Sequence, residues 1–251
     1  MHFAPGLRGF FLVLNSRPGK PLADIRLRKA IAHAVNREAL VKYILEGRGG
    51  VLNSPITPRV FGYNPNLKGY AYDPGKAKKL LAEAGYPGGK GLKLNLFGAA
   101  GSFINDREMV QTISDDLRRI GITINLKTMP AAGFRKYYMK YNEDVDINFF
   151  SNANNSADAN YNLTLNFYSK GRGIYWNHPE VDRLIEQAAA ESDRAKRKRL
   201  YLKAQEIIVD REAAHVFLYY PQDLYGVSRR VKFKARPDES VYIYDDVELA
   251  N

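Results

Sequence analysis

The stretch LKLNLFGAAGSFINDREMVQTISDDLRRIGITINLKTM (residues 92–129) decides the fold class. LKLNLF (92–97) alternates apolar and polar residues with the period of a half-buried strand. A helix follows from about Asn105 to Arg119 and stops at Gly121, a residue that accepts the left-handed backbone of a helix end. ITINLKTM (122–129) then alternates again. Strand, helix and strand within about 40 residues make a βαβ unit, so the two strands are expected to be parallel with a right-handed crossover. The class is therefore α/β.

Working outward, FFLVL (10–14), VDINFF (145–150) and HVFLYY (215–220) read as further strands, the last leading into a Tyr-rich tail. Asp24 is placed to cap a helix whose Ile25, Ile31, Ala34 and Val35 share a face; Asn36 caps the next group of turns and Gly47 closes it. Residues 48–71 carry Pro55, Pro58, Gly62 and Pro65 and read as an ordered loop. Asp73-Pro74 starts a helix, with an acceptor at the N-cap and a proline where no N–H is needed; Gly85 ends it. Asn177, His178 and Pro179 open another helix, and Ser192 or Asp193 caps a last one running to about Asp210. SNANNSADANYN (151–162) reads as too polar and turn-prone for either regular element.

Composition narrows the function classes. The 251 residues suffice for a sizeable core. No run of 18 apolar residues occurs, and FFLVL, followed by Asn15, Ser16 and Arg17, is too short for the apolar centre of a signal peptide. Without cysteine there is no disulfide framework and no thiolate zinc site. The net charge of +11 raises nucleic acid as a partner, but the densest basic run, Arg194, Lys196, Arg197, Lys198 and Arg199, is not interleaved with an aromatic stacking platform. It reads as a solvated helix face. His2, His33, His178 and His215 are scattered, and Asp115-Asp116 and Asp245-Asp246 are sequence neighbours that face apart, so neither a triad nor an acid–base dyad is visible. There is no P-loop and no GxGxxG after a strand, so no cofactor is expected. Trp176 beside Tyr175 reads as core rather than cleft wall.

Two stretches carry a resemblance. ADIRLRKAIAHAVNREALVKYILEG (23–47) and YDPGKAKKLLAEAGYPGG (72–89) closely resemble the C-terminal lobe of the family-5 extracellular solute-binding proteins, which feed ABC importers of dipeptides, oligopeptides and nickel. GITINLKTMP, NHPEVDRLIEQA (177–188) and RLYLKAQEIIVDREAAHVFLYY (199–220) resemble later segments of that lobe, in family order. The resemblance implies a periplasmic-binding-protein-like lobe (type II, cluster C-like), a mixed sheet flanked by helices. Residues 1–251 would form a single C-terminal ligand-binding lobe, with 1–20 and 215–251 as hinge-side segments, within which 10–15 and 215–227 are expected to be strands lying near each other. The family's N-terminal lobe, signal peptide and lipoprotein cysteine have no counterpart in the sequence. It also implies a substrate-binding component rather than an enzyme. The expected partners are a peptide-like or other small polar solute, the absent N-terminal lobe and a membrane ABC permease, in a periplasmic or extracytoplasmic setting, with no nucleic acid. The alternative is a stand-alone nucleic-acid-binding or enzymatic domain that reuses the lobe.

By the same resemblance, ligand chemistry falls on two loops facing a cleft between lobes. In GAAGSFINDRE (98–108), Ser102, Phe103 and Asn105 are placed to meet a ligand and Arg107 to counter a carboxylate; equally, Ser102 or Asn105 caps the helix and Arg107 is solvated. In the loop after VDINFF, peptide-binding members often show W-x-A/G-D-x-x-D-P, whose first acid holds the peptide α-amino group. Here Asn152 stands for the Trp, Asn155 for the first acid and Ala159 for the Pro, while Asp158 aligns with the later acid and Asn154 lies between. An amide cannot neutralise an ammonium, so the loop favours neutral, hydroxyl-rich or amide ligands. The bland reading is a polar turn.

Overall fold

The computed structural model describes residues 2–171, 174–236, 239 and 247–249. The βαβ unit forms as its alternation dictates: β4 (Lys93–Ala99) runs parallel to β5 (Thr123–Met129) in unbroken register from Lys93↔Thr123 to Ala99↔Met129, joined by α4 (Asp106–Arg119). On β4's other edge lies parallel β6 (Ile147–Asn152), then antiparallel β2 (Gly9–Leu14) and β7 (His215–Tyr225). β1 (His2–Pro5) continues the β2 edge along the far half of β7, and β3 (Gly49–Val51) also pairs with β7. The sheet is thus mixed and seven-stranded. A separate two-stranded sheet pairs β8 (Val231–Phe233) antiparallel with β9 (Val247–Leu249).

Phe10–Val13 of β2 pair with residues 215–219 of β7, so the segments expected to lie near each other, 10–15 and 215–227, run side by side. Of the expected 215–251 segment, residues 237–238, 240–246 and 250–251 lie outside the described residues, and so does the Asp245-Asp246 pair.

Strand alternation sends side chains to two faces, and each face is covered by helices. Phe10, Leu12, Leu14, Leu94, Leu96, Ile147 and Leu218 join α1 (Ile25–Ala34), α3 (Pro74–Glu83) and α4 in one core. Phe11 and Phe217 join α7 (Ala159–Phe167), α8 (Pro179–Ala190) and α9 (Arg194–Glu206) in the other. Trp176 is buried in this second core, as its reading suggested. The helix starts follow the capping residues: Asp24, Asn36, Asp73 and Asp193 each accept a backbone N–H of the first turn. Asn36 opens α2 (Arg37–Ala39), which widens over Leu40–Ile44 into a π-type turn closed by Leu45 N–H on the Leu40 carbonyl at 3.2 Å. His33 is a satisfied structural residue: Nδ1 lies 2.7 Å from the Ala71 carbonyl, and burial lowers its proton affinity.

Three readings are corrected. SNANNSADANYN is not a featureless turn. β6 extends through Asn152, and α7 begins at Ala159, capped by the Asp158 carboxylate on Asn160 N–H at 2.9 Å. Leu163 and Phe167 anchor that helix in the core, and the local asparagines satisfy loop backbone, so polar composition does not preclude order. The 48–71 loop contributes the short β3. Finally, β7 continues through Pro221 to Tyr225, five residues past HVFLYY, because β1 and β3 supply partners there.

Candidate functional site

The parallel strands β4, β5 and β6 all point their carboxyl ends to one edge of the sheet, which is where open α/β sheets form their crevices. β2 is antiparallel to them, so its start, at Arg8 and Phe10, comes to the same edge. Two adjoining cavities open there, of about 540 and 260 Å³. Arg8, Phe10 and Phe103 line both and form the wall between them.

The wall is an aromatic and cationic stack. Phe10 meets Phe103 edge-on at 5.1 Å, lies against Tyr219 at 4.8 Å and against Phe149 at 5.7 Å. The Arg8 guanidinium sits 4.9 Å above the Phe103 ring, donates to Ser151 Oγ at 3.3 Å, and is held in a two-pronged pair by Glu239 at 2.9 and 2.6 Å. The smaller cavity continues over Ser102, Phe134, Tyr138, Ser151 and Asn152. The larger continues along the π-type turn at Ile44 to Arg48 and the far half of β7 to Tyr225. Within it, burial first and the Glu239 carboxylate second push Asp223 up to about 6, against the opposing pull of Arg8.

Neither Ser102 nor Asn105 caps α4 through its side chain. The loop is instead held by Asp106, whose buried carboxylate accepts the N–H groups of Gly101, Ser102 and Phe103 at 3.0, 2.7 and 3.0 Å. Asn105 takes a left-handed backbone (φ 59°) and donates through Nδ2 to the Ile44 carbonyl at 3.0 Å, tying the loop to the π-type turn. Asp106 thus positions Phe103. Asp106→Ala is expected to cost about 2–3 kcal/mol, because three backbone donors lose a charged acceptor while water reaches some of them. Amide hydrogen exchange at Gly101, Ser102 and Phe103 should rise with it; unchanged protection there would contradict this positioning.

Of the residues expected at the site, Ser102, Phe103, Asn105 and Asn152 line the cavities. Arg107 is exposed and lines neither. Asn154 is fully buried and donates to the Asp158 carbonyl at 2.9 Å. Asn155 is exposed outside both cavities. Asp158 is committed twice, to the α7 cap and to Arg197 at 2.7 Å. Arg197 and Arg194 also cover the Phe61 ring, at 5.6 and 4.2 Å, so this part of the basic run serves packing, while Lys196, Lys198 and Arg199 are exposed. Arg8, Phe10, Tyr219 and Asp223 escaped the sequence reading. A signal existed for Arg8, a charged residue set just before an apolar strand in GLRGFFLVL.

The fold is an α/β lobe with a crevice at the carboxyl edge of its parallel strands. Residues 1–173 match the model of the bacterial extracellular solute-binding proteins, family 5 (Middle), and the chain belongs to that family. It is 30% identical over 225 residues to the dipeptide-binding protein of Escherichia coli (strain K12), covering 86% of this chain and 41% of that protein. It is 29% identical over 230 residues to heme-binding protein A of Haemophilus influenzae, covering 90% of this chain and 42% of that one. The periplasmic binding protein DppA from Helicobacter pylori, solved with the peptide STSA, superimposes with a TM-score of 0.86 at 30% identity, over 99% of this chain and 48% of the other. The chain thus spans about two fifths of the length of these curated relatives.

Proposed function

We propose that the chain is the solute-binding lobe of an ABC importer's receptor, taking a peptide-like or other small polar solute against the Arg8–Phe10–Phe103 wall. The observation that carries this is the pair of cavities at the carboxyl ends of β4, β5 and β6, sharing one charged and aromatic wall. A second lobe closing over this face would enclose the solute, and binding energy would shift an open–closed equilibrium that a membrane permease reads. The function is binding without bond-making, and its setting is extracytoplasmic, beside the permease. Membership of the family and the binding proteins among its relatives support both statements. The β6–α7 loop offers no free carboxylate to a solute, because Asp158 is tied to Arg197.

The test is chemical-shift mapping on the 15N-labelled chain with a panel of dipeptides and N-acetylated dipeptides at millimolar concentration. Shifts are expected at Arg8, Phe10, Phe103, Ser151 and Asn152. A short DNA duplex should produce none there, and any response on α9 should vanish with added salt. Solute shifts confined to α9 or to the α1–α3 face would sink the proposal.

A further inference from the structure

Among the described residues, five charged ones line the larger cavity: Arg8, Glu46, Arg48, Asp223 and Glu239. Four of them are paired off. Arg8 is clasped by Glu239 at 2.6 Å, and Arg48 meets Glu46 at 2.7 Å and lies over the Phe3 ring at 4.9 Å. Asp223 is left over. It projects from β7 opposite Ala4 of β1, and its carboxylate packs against Gly6, where any Cβ would come within 2.6 Å of it. One of its oxygens is buried with no hydrogen-bond partner among the described residues. A carboxylate so placed is costly unless something neutralises it. The same cavity is lined by Phe3, Phe10, Phe103, Tyr219 and Tyr225; Phe3 and Phe103 already carry Arg48 and Arg8 on one face, which shows that these rings accept cations.

We propose that Asp223 is the anchor of a subsite for a cationic group, a primary ammonium attached to an apolar or aromatic body, in the larger cavity. The surplus negative charge matches one monocation, and the aromatic walls match its body. This deepens the receptor reading and rests on it only for its biological meaning. It also relocates the positive end of a solute: the β6–α7 loop spends its carboxylate on Arg197, whereas β7 holds one in reserve. Burial raises Asp223 to about 6, so the subsite is charged above that pH and neutralised as pH falls through it, with Arg8 and Glu239 as the charges that face it.

The experiment is an NMR titration of chain 1–251 with 2-phenylethylamine and its neutral counterpart 2-phenylethanol, at pH 7.5 and pH 5, following the Asp223 carboxyl carbon. The amine should shift Ala4 to Arg8 and Gln222 to Tyr225 and move the Asp223 signal. Its apparent Kd should rise about tenfold or more in Asp223→Asn, and likewise at pH 5 in the unaltered chain. The alcohol should bind weakly and ignore both changes. If Asp223→Asn fails to fold, the pH comparison in the unaltered chain decides by itself. Equal amine affinity with and without the carboxylate, shifts centred on residues 153–158, or no saturable amine binding would each overturn the proposal. Failure here with dipeptide shifts still mapping to the Arg8–Phe103 wall would leave the receptor reading intact. Success here with dipeptides mapping elsewhere would refute the receptor reading alone.

Discussion

Arg37→Ala is expected to remove about 3–5 kcal/mol of folding stability. Arg37 follows the Asn36 cap and is 5% exposed. Its Nη1 donates to the Leu52 carbonyl at 3.1 Å, Asn53 Oδ1 at 2.7 Å and the Phe217 carbonyl at 3.2 Å, and Nη2 donates to the Tyr70 carbonyl. One guanidinium thus pins both ends of the proline-rich 48–71 loop to β7, the strand that carries Tyr219 and Asp223. Among the described residues no carboxylate pairs with it, and burial lowers its proton affinity; fixed carbonyl dipoles balance the charge. Truncation strands the buried Leu52 and Phe217 carbonyls and frees the half-exposed loop ends at Asn53 and Tyr70. Arg37→Lys should recover only part of the loss, since an ammonium cannot reproduce the planar fork. Urea denaturation measures both, and a loss under about 1 kcal/mol for Arg37→Ala would refute the pinning role.

Gly121→Ala is expected to cost about 3 kcal/mol or more. Gly121 ends α4 with φ +93°, and an added Cβ would stand 1.9 Å from the Gly88 carbonyl oxygen. The neighbour is backbone, and a Cβ added at Gly89 would likewise meet the Gly121 backbone at 2.3 Å, so neither side has a flexible atom to give way. The cost combines the left-handed conformation, about 1–2 kcal/mol, with overpacking of about 1–3 kcal/mol. Gly85 is the internal control. It ends α3 with the same φ of +93°, but nothing lies within 4 Å of its added Cβ. Gly85→Ala should therefore cost only the conformational part. Equal losses at the two positions, read by thermal or urea unfolding, would show that the backbone contact contributes nothing.

Much of this architecture was legible because it is local. The parallel β4–α4–β5 unit follows from alternation, a helix and Gly121, and the caps at Asp24, Asn36, Asp73 and Asp193 announce themselves by residue type. The 151–162 segment misled because asparagine-rich composition predicts turns, whereas burial of Leu163 and Phe167 decides for a helix. The site was half legible. Ser102, Phe103, Asn105 and Asn152 sit on loops next to strand ends, where sequence order points. Arg8, Tyr219 and Asp223 come to the cavities through β1, β2 and β7, whose pairing joins residues more than 200 apart in the chain. Nor does composition say that Asp158 is spent on Arg197 across 39 residues.

Calorimetry tests the central claim most directly. Chain 1–251 is titrated with the dipeptide panel by itself, and again with the N-terminal lobe of a family-5 relative fused ahead of His2. A groove that supplies one wall of a closing cleft gives up half its contacts when alone, so the chain by itself should bind with a Kd no tighter than about 1 mM. The two-lobed protein should bind at least about 100-fold more tightly. Micromolar binding by 1–251 alone would contradict the account, because the single wall would then be a complete site.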